Sequence, residues 1–286
     1  MKITEIFYFV DEFCKEFMPF WKKKLIDNGF KKRNRECTLS ASEIMTILIL
    51  FHTSKYRDFK AFYNFEVLGN LKYYFPNTLS YNRFIELKKS VLAPMLVLLC
   101  SMKSEKTGIY FIDSTPLKVC HIKREKQNKV FKGIAKKSKS TMGWFFGFKL
   151  HLVINNLGEI VSFQITESTC DDRSVVQTLA KNLLGKLIGD KGYIKSELFQ
   201  ELFERGLELI TKIKKNMKNC LVNMKNKMLL KKRAIVESVI GQLKNICHIE
   251  HTRHRSFVNF IINIFGGLIA YGFKDTKPSV NCDDFR

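Results

Sequence analysis

The chain has 286 residues, of which 45% are hydrophobic, so it can form one large domain or two of ordinary size around a substantial core. Its 49 Lys and Arg residues against 27 Asp and Glu residues give a formal net charge of +22. A charge of this size indicates a polyanionic partner, either nucleic acid or an anionic membrane surface, and excludes an ordinary near-neutral globular protein.

Residues 1 to about 100 are predicted to be helical throughout. Ser40 and Glu43 have the spacing of a capping box, and Ser80 marks a second helix start. Apolar side chains recur at helical spacing in the first helix, at Phe7, Val10, Phe13, Phe17 and Phe20. Short helices with basic residues between them are typical of a small DNA-binding module. The alternative is a helical cap on the following domain.

A buried strand is predicted from Gly108, because four β-branched or aromatic residues follow it in succession. We expect this strand to end at Asp113, since Ser, Thr and Pro come directly behind it. Residues 118–139 are strongly basic, with nine Lys or Arg residues and one acid, Glu125. Residues 144–154 and 160–166 then alternate as the two strands of a hairpin.

The second half of the chain alternates strands with helices. Asp171 and Asp172 are predicted to cap a helix that runs to Leu183, although either could instead join a metal site. A short buried strand ends at Asp190, and a helix over 196–205, a strand over 207–213, a basic loop over 214–232 and a helix over 233–246 follow. Asparagines and paired glycines interrupt the apolar run 257–273, which favours a buried helix over a membrane span. This order predicts a mixed sheet flanked by helices.

Three acids occupy positions that a sheet can bring together. Asp113 and Asp190 each end a strand, and Glu237 lies on the helix after the last strand. Hard divalent cations such as Mg²⁺ prefer carboxylate oxygens, and two such ions can promote phosphodiester cleavage. At 100° per residue Arg233, Glu237 and Lys244 share one helix face. That face could equally be an ordinary solvated row of i,i+4 pairs.

Taken together these residues resemble the DDE transposases of bacterial insertion sequences. Many members carry a Tyr-x2-Arg-x3-Glu-x6-Lys signature, which Arg233, Glu237 and Lys244 match in register, while Leu230 stands at the tyrosine position. The phrases FIDSTPLKVCH, DDRSVV, GDKGYI, RAIVESVIGQLK and HTRHRSF are most similar to the IS982 family, over nearly the whole chain.

The resemblance implies an α/β fold, with an RNase H-like mixed sheet flanked by helices and preceded by an all-α region. It implies a helical DNA-binding domain over 1–104, a catalytic domain over 105–275 and a tail over 276–286. Asp113, Asp190 and Glu237 would be the catalytic, metal-binding triad, with two Mg²⁺ or Mn²⁺ ions. Arg233 and Lys244 would contact DNA, and we predict the same for three further cations, Lys191, Lys123 and Arg124.

The function implied is that of a transposase. It would bind the terminal inverted repeats of its own element, cleave at the ends and join the 3′-hydroxyls to target DNA, as a homo-oligomer on double-stranded DNA. The alternatives are a Mg²⁺-dependent nuclease without strand transfer and a catalytically dead DNA-binding protein. The eight scattered cysteines are typical of reduced thiols in the cytosol. With DNA rather than a membrane as the partner, we expect a cytoplasmic, nucleoid-associated bacterial protein.

Overall fold

A computed structural model describes residues 3–30, 32–33, 37–102, 104–212, 223–250 and 254–282. Contacts divide the chain into two compact units. Unit 1 contains residues 1–102, 243–249 and 255–275, and unit 2 contains residues 103–242, 250–254 and 276–286. No helix in the described part of the chain is both long and apolar enough to cross a bilayer.

Unit 1 is helical, as the sequence predicts. Ser40 caps its second helix in the predicted capping box with Glu43, and Ser80 caps the helix that begins at Tyr81. Its helices are α1 (Ile3–Asp27), α2 (Ala41–Thr53), α3 (Phe59–Ala61), which continues as a π-helix (Phe62–Asn70), α4 (Tyr81–Leu87), which continues as a 3₁₀ turn (Lys88–Val91), α5 (Leu92–Ser101) and, near the C-terminal end, α10 (Phe257–Gly272).

Helix α2 lies at the centre of unit 1 and is buried along nearly its whole length. Helix α10 packs against it, where a Cβ at Gly266 would lie 2.8 Å from the His52 ring. The paired glycines of α10 therefore permit close helix packing, and the apolar run is a buried helix as predicted.

Unit 2 is built on a six-stranded mixed sheet. The long strand β3 pairs antiparallel with β1 on one edge and with β2 and then β4 along the other, while β5 and β6 extend the β1 side in parallel. The strand bounds are β1 Ile109–Cys120, β2 Lys136–Ser140, β3 Gly143–Asn155, β4 Ile160–Glu167, β5 Gly185–Gly189 and β6 Leu207–Thr211. The order β4-β3-β1-β5-β6, with β2 as an addition, is the RNase H-like arrangement predicted.

Helices flank this sheet. They are α6 (Val176–Leu179), α7 (Ser196–Glu204), α8 (Met224–Lys232) and α9 (Ala234–Asn245), the last of which runs from unit 2 into unit 1. On one face an apolar core forms around Tyr110 and Ile112 of β1, Val153 of β3 and Leu179 of α6. Burial of such side chains supplies the main favourable term in folding.

Several predicted elements need correction. Strand β1 does not end at Asp113 but continues through Pro116 to Cys120, because β3 pairs with it along the whole length. The helix after Asp172 is one turn, Val176–Leu179, and it stops far short of Leu183. The basic segment 118–139, for which the sequence predicted no structure, contains the end of β1 and most of β2. The second part of the predicted loop 214–232 is helix α8, whereas residues 213–222 lie outside the described part.

The contact-based units also differ from the predicted domain limits. Residues 243–249 and 255–275, which the prediction joined to a domain over 105–275, cluster with the N-terminal helices. The reason is that α10 buries its apolar side chains against α2 and α5. The division of function among residues 1–104, 105–275 and 276–286 stays a prediction.

Candidate active site

The sheet brings Asp113 and Asp190 together. Parallel pairing of β1 with β5 aligns Phe111 with Ile188, and continuing this register by two residues places Asp190 beside Asp113. Strand β5 stops at Gly189, so Asp190 lies at the strand's carboxyl end. A Cβ at Gly189 would lie 3.0 Å from the Tyr193 ring and 3.2 Å from Ile112, so this close approach favours glycine before the acid.

Arg233 links Glu237 to Asp113, because its guanidinium contacts both carboxylates. The Arg233 Nη2 donates to Glu237 Oε1 at 2.6 Å, and its Nη1 lies 3.4 Å from Asp113 Oδ2. The two residues are four apart, so one helical turn places the guanidinium beside the carboxylate, as the sequence spacing predicts. The Arg233 side chain is 16% exposed and that of Glu237 is 58% exposed. The guanidinium thus lies between an acid of the sheet and an acid of helix α9.

The electrostatics of Asp113 reflect this crowding of acids. The pKa of its carboxyl is raised from 3.8 to about 6; burial is the largest cause, and the negative charges of Glu237 and Asp190 act in the same direction. The backbone N–H of Ser114, which donates to Asp113 Oδ1 at 2.8 Å, and the charge of Arg233 oppose the shift. An ionised Asp113 is therefore under-compensated by the protein itself, and a further cation would stabilise it.

The donor set suits a hard divalent cation in its chemistry. All three acids offer carboxylate oxygens, the ligands that Mg²⁺ and Mn²⁺ prefer. Among the residues that the structure describes, however, no group of three His, Cys, Asp or Glu side chains is arranged closely enough to hold a metal. Arg233 contacts two of the three acids. The acids fit a divalent cation by type and charge. To coordinate one ion together, Asp113 and Glu237 would have to release the Arg233 guanidinium that now contacts both.

The predicted DNA contacts fall into two groups. Lys191 is exposed directly after Asp190, and Lys244 lies on α9 seven residues beyond Glu237. Lys123 and Arg124 are exposed on a 3₁₀ turn (Ile122–Gln127) that follows β1. Seven strand residues separate Asp113 from the end of β1, a distance of roughly 23 Å. Lys123 and Arg124 are therefore far from the acids in space, although they follow Asp113 closely in the sequence.

A second polar cluster lies on the other face of β1 and was missed in the sequence. Side chains alternate along a strand, so Ser114 points away from the face that carries Asp113. Its hydroxyl donates to Asp172 Oδ2 at 2.9 Å. Lys149 Nζ donates to Asp172 Oδ1 at 2.9 Å and to the Cys170 carbonyl at 2.8 Å. Both oxygens of Asp172 are thus engaged by protein donors.

Two buried polar side chains border this cluster. His151 is fully buried opposite Ser114, with its Nε2 2.8 Å from Thr166 Oγ1 and its Nδ1 3.9 Å from Asp172. Burial lowers the pKa of His151 to about 4, so its imidazole is neutral. Burial, and then the charges of Asp172 and Asp113, raise the pKa of the Tyr193 phenol. The signal that could have revealed the cluster is the polar pair Lys149 and His151 on one face of an otherwise apolar strand.

The structure supports neither interpretation of Asp171 and Asp172, and the predicted cap is wrong because the helix begins at Val176 with Val175 as its N-cap residue. Asp171 is an exposed turn residue whose carboxylate accepts bonds from the backbone and side chain of Arg173. Those bonds hold the pKa of Asp171 at about 2. Asp172 contacts Ser114 and Lys149 on the face opposite Asp113, so neither acid lies with the three candidate ligands.

Comparison with known proteins places this geometry in context. A family model described as a transposase DDE domain matches residues 103–257. No protein with a curated description matches the sequence. A piggyBac transposase synaptic complex with hairpin DNA is similar over 94% of this chain and 72% of its own, at 10% identity and a TM-score of 0.46. The Mos1 strand transfer complex covers 87% and 82% respectively, at 11% identity and a TM-score of 0.25. At these TM-scores neither likeness supports a conclusion.

Proposed function

Because the chain belongs to the transposase DDE domain family, we propose that it binds the ends of an insertion sequence of the IS982 type, cleaves there, and joins the freed 3′-hydroxyls to target DNA. The observation that carries this proposal is that Arg233 contacts both Asp113 and Glu237 while the β1–β5 register aligns Asp190 with Asp113, in a chain of net charge +22. Such a chain attracts a polyanion, while the acids form a local negative site within it.

Each acid has a distinct position in the proposed site. Asp113, rigid in the middle of β1, and Asp190, at the end of β5, supply ligands from the sheet, and Glu237 supplies one from a helix. They would hold two Mg²⁺ or Mn²⁺ ions, which when bound activate a nucleophile and stabilise the leaving oxygen of a phosphodiester. Arg233, once released from Asp113 and Glu237, orients a phosphate through its planar guanidinium. Lys191 and Lys244 are each proposed as a further contact to DNA.

DNA binding itself is proposed to be largely electrostatic. Lys123 and Arg124, exposed and distant from the acids, would contact phosphates away from the scissile bond. The helical region 1–104 would recognise the element's ends, and a homo-oligomer would hold two ends together. Replacing both Lys123 and Arg124 by Ala should make the plot of log K for DNA binding against log salt less steep, by about 2 in slope. The reason is that each lost phosphate contact releases about one counterion fewer. An unchanged slope would exclude this turn from the DNA interface.

The test of function is incubation of the full chain with duplexes that carry its flanking terminal repeats, a target plasmid and Mg²⁺. We expect nicks that expose 3′-hydroxyls at the repeat ends, followed by covalent joints to the plasmid. Asp113→Asn and Asp190→Asn serve as controls, because each keeps the side chain's size and removes the charge that a cation requires.

The products separate the proposal from its alternatives. Nicks without joints would identify a nuclease that lacks strand transfer. Binding to the repeats without nicks at any Mg²⁺ or Mn²⁺ concentration would identify a DNA-binding protein that has lost activity. Cleavage that survives in both Asn variants would contradict the proposed roles of Asp113 and Asp190.

A further inference from the structure

We infer that Asp172, acting through Ser114, is a positioning residue that orients Asp113 from the opposite face of the sheet. The inference rests on the proposed function of the three acids, and it assigns to Asp172 a role other than metal ligation.

The first step is a continuous hydrogen-bonded path through β1. Asp172 Oδ2 accepts from the Ser114 hydroxyl at 2.9 Å, and the Ser114 backbone N–H donates to Asp113 Oδ1 at 2.8 Å. One residue therefore links the two carboxylates across the strand. A shift or rotation of Ser114 would move the donor that orients Asp113.

The second step concerns Tyr193, which packs against the end of β5 beside the same cluster. Its ring is 2% exposed, and it would lie 3.0 Å from a Cβ at Gly189, the residue before Asp190. The charges of Asp172 and Asp113 both act on its phenol and raise the pKa. The Ser114 hydroxyl is near the phenol, but within the described residues the Tyr193 hydroxyl has no partner of hydrogen-bond geometry. Tyr193 thus packs against the strand end that carries Asp190 while facing the Asp172 cluster.

The third step is the composition of the cluster. Asp172 is neutralised by Lys149 at 2.9 Å, and beside them His151 is neutral. Within the described part of the chain, His151 Nδ1, Gln164 Oε1 and Tyr193 Oη are buried without a hydrogen-bond partner. Apolar residues at these places would be less costly to bury, so stability alone does not account for the cluster. Groups that orient metal ligands from outside the coordination sphere are a recognised use of such networks.

The test compares Mn²⁺ binding by the full-length protein, followed by the electron paramagnetic resonance signal of the free ion, in the parent, Asp172→Asn and Asp171→Asn. Asp171→Asn is the matched control, because this neighbouring acid is exposed and contacts Arg173 instead. We expect Asp172→Asn to weaken Mn²⁺ binding about 10-fold and Asp171→Asn to leave it unchanged. End cleavage should fall through kcat, while the affinity for DNA stays at the parental value.

A second variant covers the case in which Asp172→Asn does not fold. Ser114→Ala leaves the Lys149–Asp172 pair intact and removes only the link to β1, so it should weaken Mn²⁺ binding in the same direction. Ser114→Thr, which keeps the hydroxyl, should restore it. A merely structural role predicts a lower Tm with parental Mn²⁺ affinity of the folded protein.

Two outcomes separate this inference from the proposed function. If the parent binds Mn²⁺, Asp113→Asn does not, and both Asp172→Asn and Ser114→Ala bind as the parent does, the positioning role is overturned and the acid site stands. If Asp113→Asn binds Mn²⁺ as tightly as the parent, the acid site fails and the positioning role fails with it.

Discussion

The two faces of β1 carry carboxylates in opposite electrostatic situations. On one face Asp113 meets two further acids and a single guanidinium at 3.4 Å, and its pKa is raised to about 6. On the other face Asp172 has a donor on each oxygen at 2.9 Å, from Lys149 and Ser114. The Asp172 carboxylate is satisfied by protein donors alone, whereas the Asp113 face has an excess of negative charge. Proteins retain such unrelieved charge mainly at functional sites.

The largest expected effect is on chemistry at the Asp113 face. Glu237→Gln keeps the helix face and the side-chain size but removes one negative charge from the site. We expect cleavage and strand transfer to fall by about 10³-fold or more, because metal-based stabilisation of a transition state contributes several kcal/mol. The measurement is a time course of end cleavage, with DNA affinity as the control. Near-parental strand transfer would show that Glu237 is the wrong third acid.

On the Asp172 face the largest effect should be on folding. Lys149→Met leaves Asp172 without its cation at a site where the two side chains are 20% and 27% exposed. The free energy of unfolding should fall by about 2 to 3 kcal/mol, since a largely buried carboxylate loses its partner. Urea denaturation measures this change.

A matched surface pair provides the control for Lys149. Lys136 and Glu167 lie 3.7 Å apart with side chains 50% and 54% exposed. Lys136→Met should change stability by less than about 0.5 kcal/mol, because solvent screens exposed pairs. Equal losses of stability in Lys149→Met and Lys136→Met would contradict the claim that the partly buried Lys149–Asp172 pair stabilises the fold more than the exposed Lys136–Glu167 pair.

Removing the charge of Asp113 should stabilise the metal-free protein, whereas removing the charge of Lys149 should destabilise it. Its pKa is raised from 3.8 to about 6, so the folded state binds the proton more tightly than the unfolded state and stability falls as pH rises between these values. In EDTA above pH 6, Asp113→Asn should therefore be more stable than the parent, by at most about 3 kcal/mol. The difference should vanish below about pH 4, where both states of the parent are protonated. Thermal unfolding across this range is the measurement, and an Asn variant less stable at every pH would contradict it.

Apart from the Lys136 control, the smallest effect is expected at Arg233, the cation between two acids. Arg233→Met should lower metal-free stability by about 1 kcal/mol, since its contact with Asp113 is long and Glu237 is largely solvated. Mn²⁺ should raise the Tm of this variant more than that of the parent, because the ion no longer competes with the guanidinium. An equal Mn²⁺ increment in both proteins would show that Arg233 does not occupy the cation's place.

Much of the fold could be predicted from local sequence. The capping box at Ser40 and Glu43, the hairpin of β3 and β4 and the buried strand before Asp190 all formed where their patterns indicate. The i,i+4 spacing of Arg233 and Glu237 likewise produced a contact. These features depend on neighbours within one turn or one hairpin, so the sequence contains the interactions that determine them.

The failures arose where a distant segment overrides a local signal. Ser114, Thr115 and Pro116 indicate a strand end, but pairing with β3 carries β1 through them to Cys120. That longer strand places Lys123 and Arg124 far from Asp113, although they are near it in sequence. Helix α10 clusters with the N-terminal helices for a similar reason, because its apolar face is buried against α2, while the predicted domain limits stay a prediction.

By itself the sequence determined the family of the protein and its net charge of +22, because residue types and short spacings are enough for each, and it predicted Asp113, Asp190 and Glu237 as the candidate acids. Only the tertiary structure decided that Asp172 belongs to a neutral cluster with Lys149 and Ser114, whereas Arg233 lies between Asp113 and Glu237. The reason is that the partner of a charge is set by strand register and by the face on which a side chain emerges, and both depend on segments up to 120 residues apart.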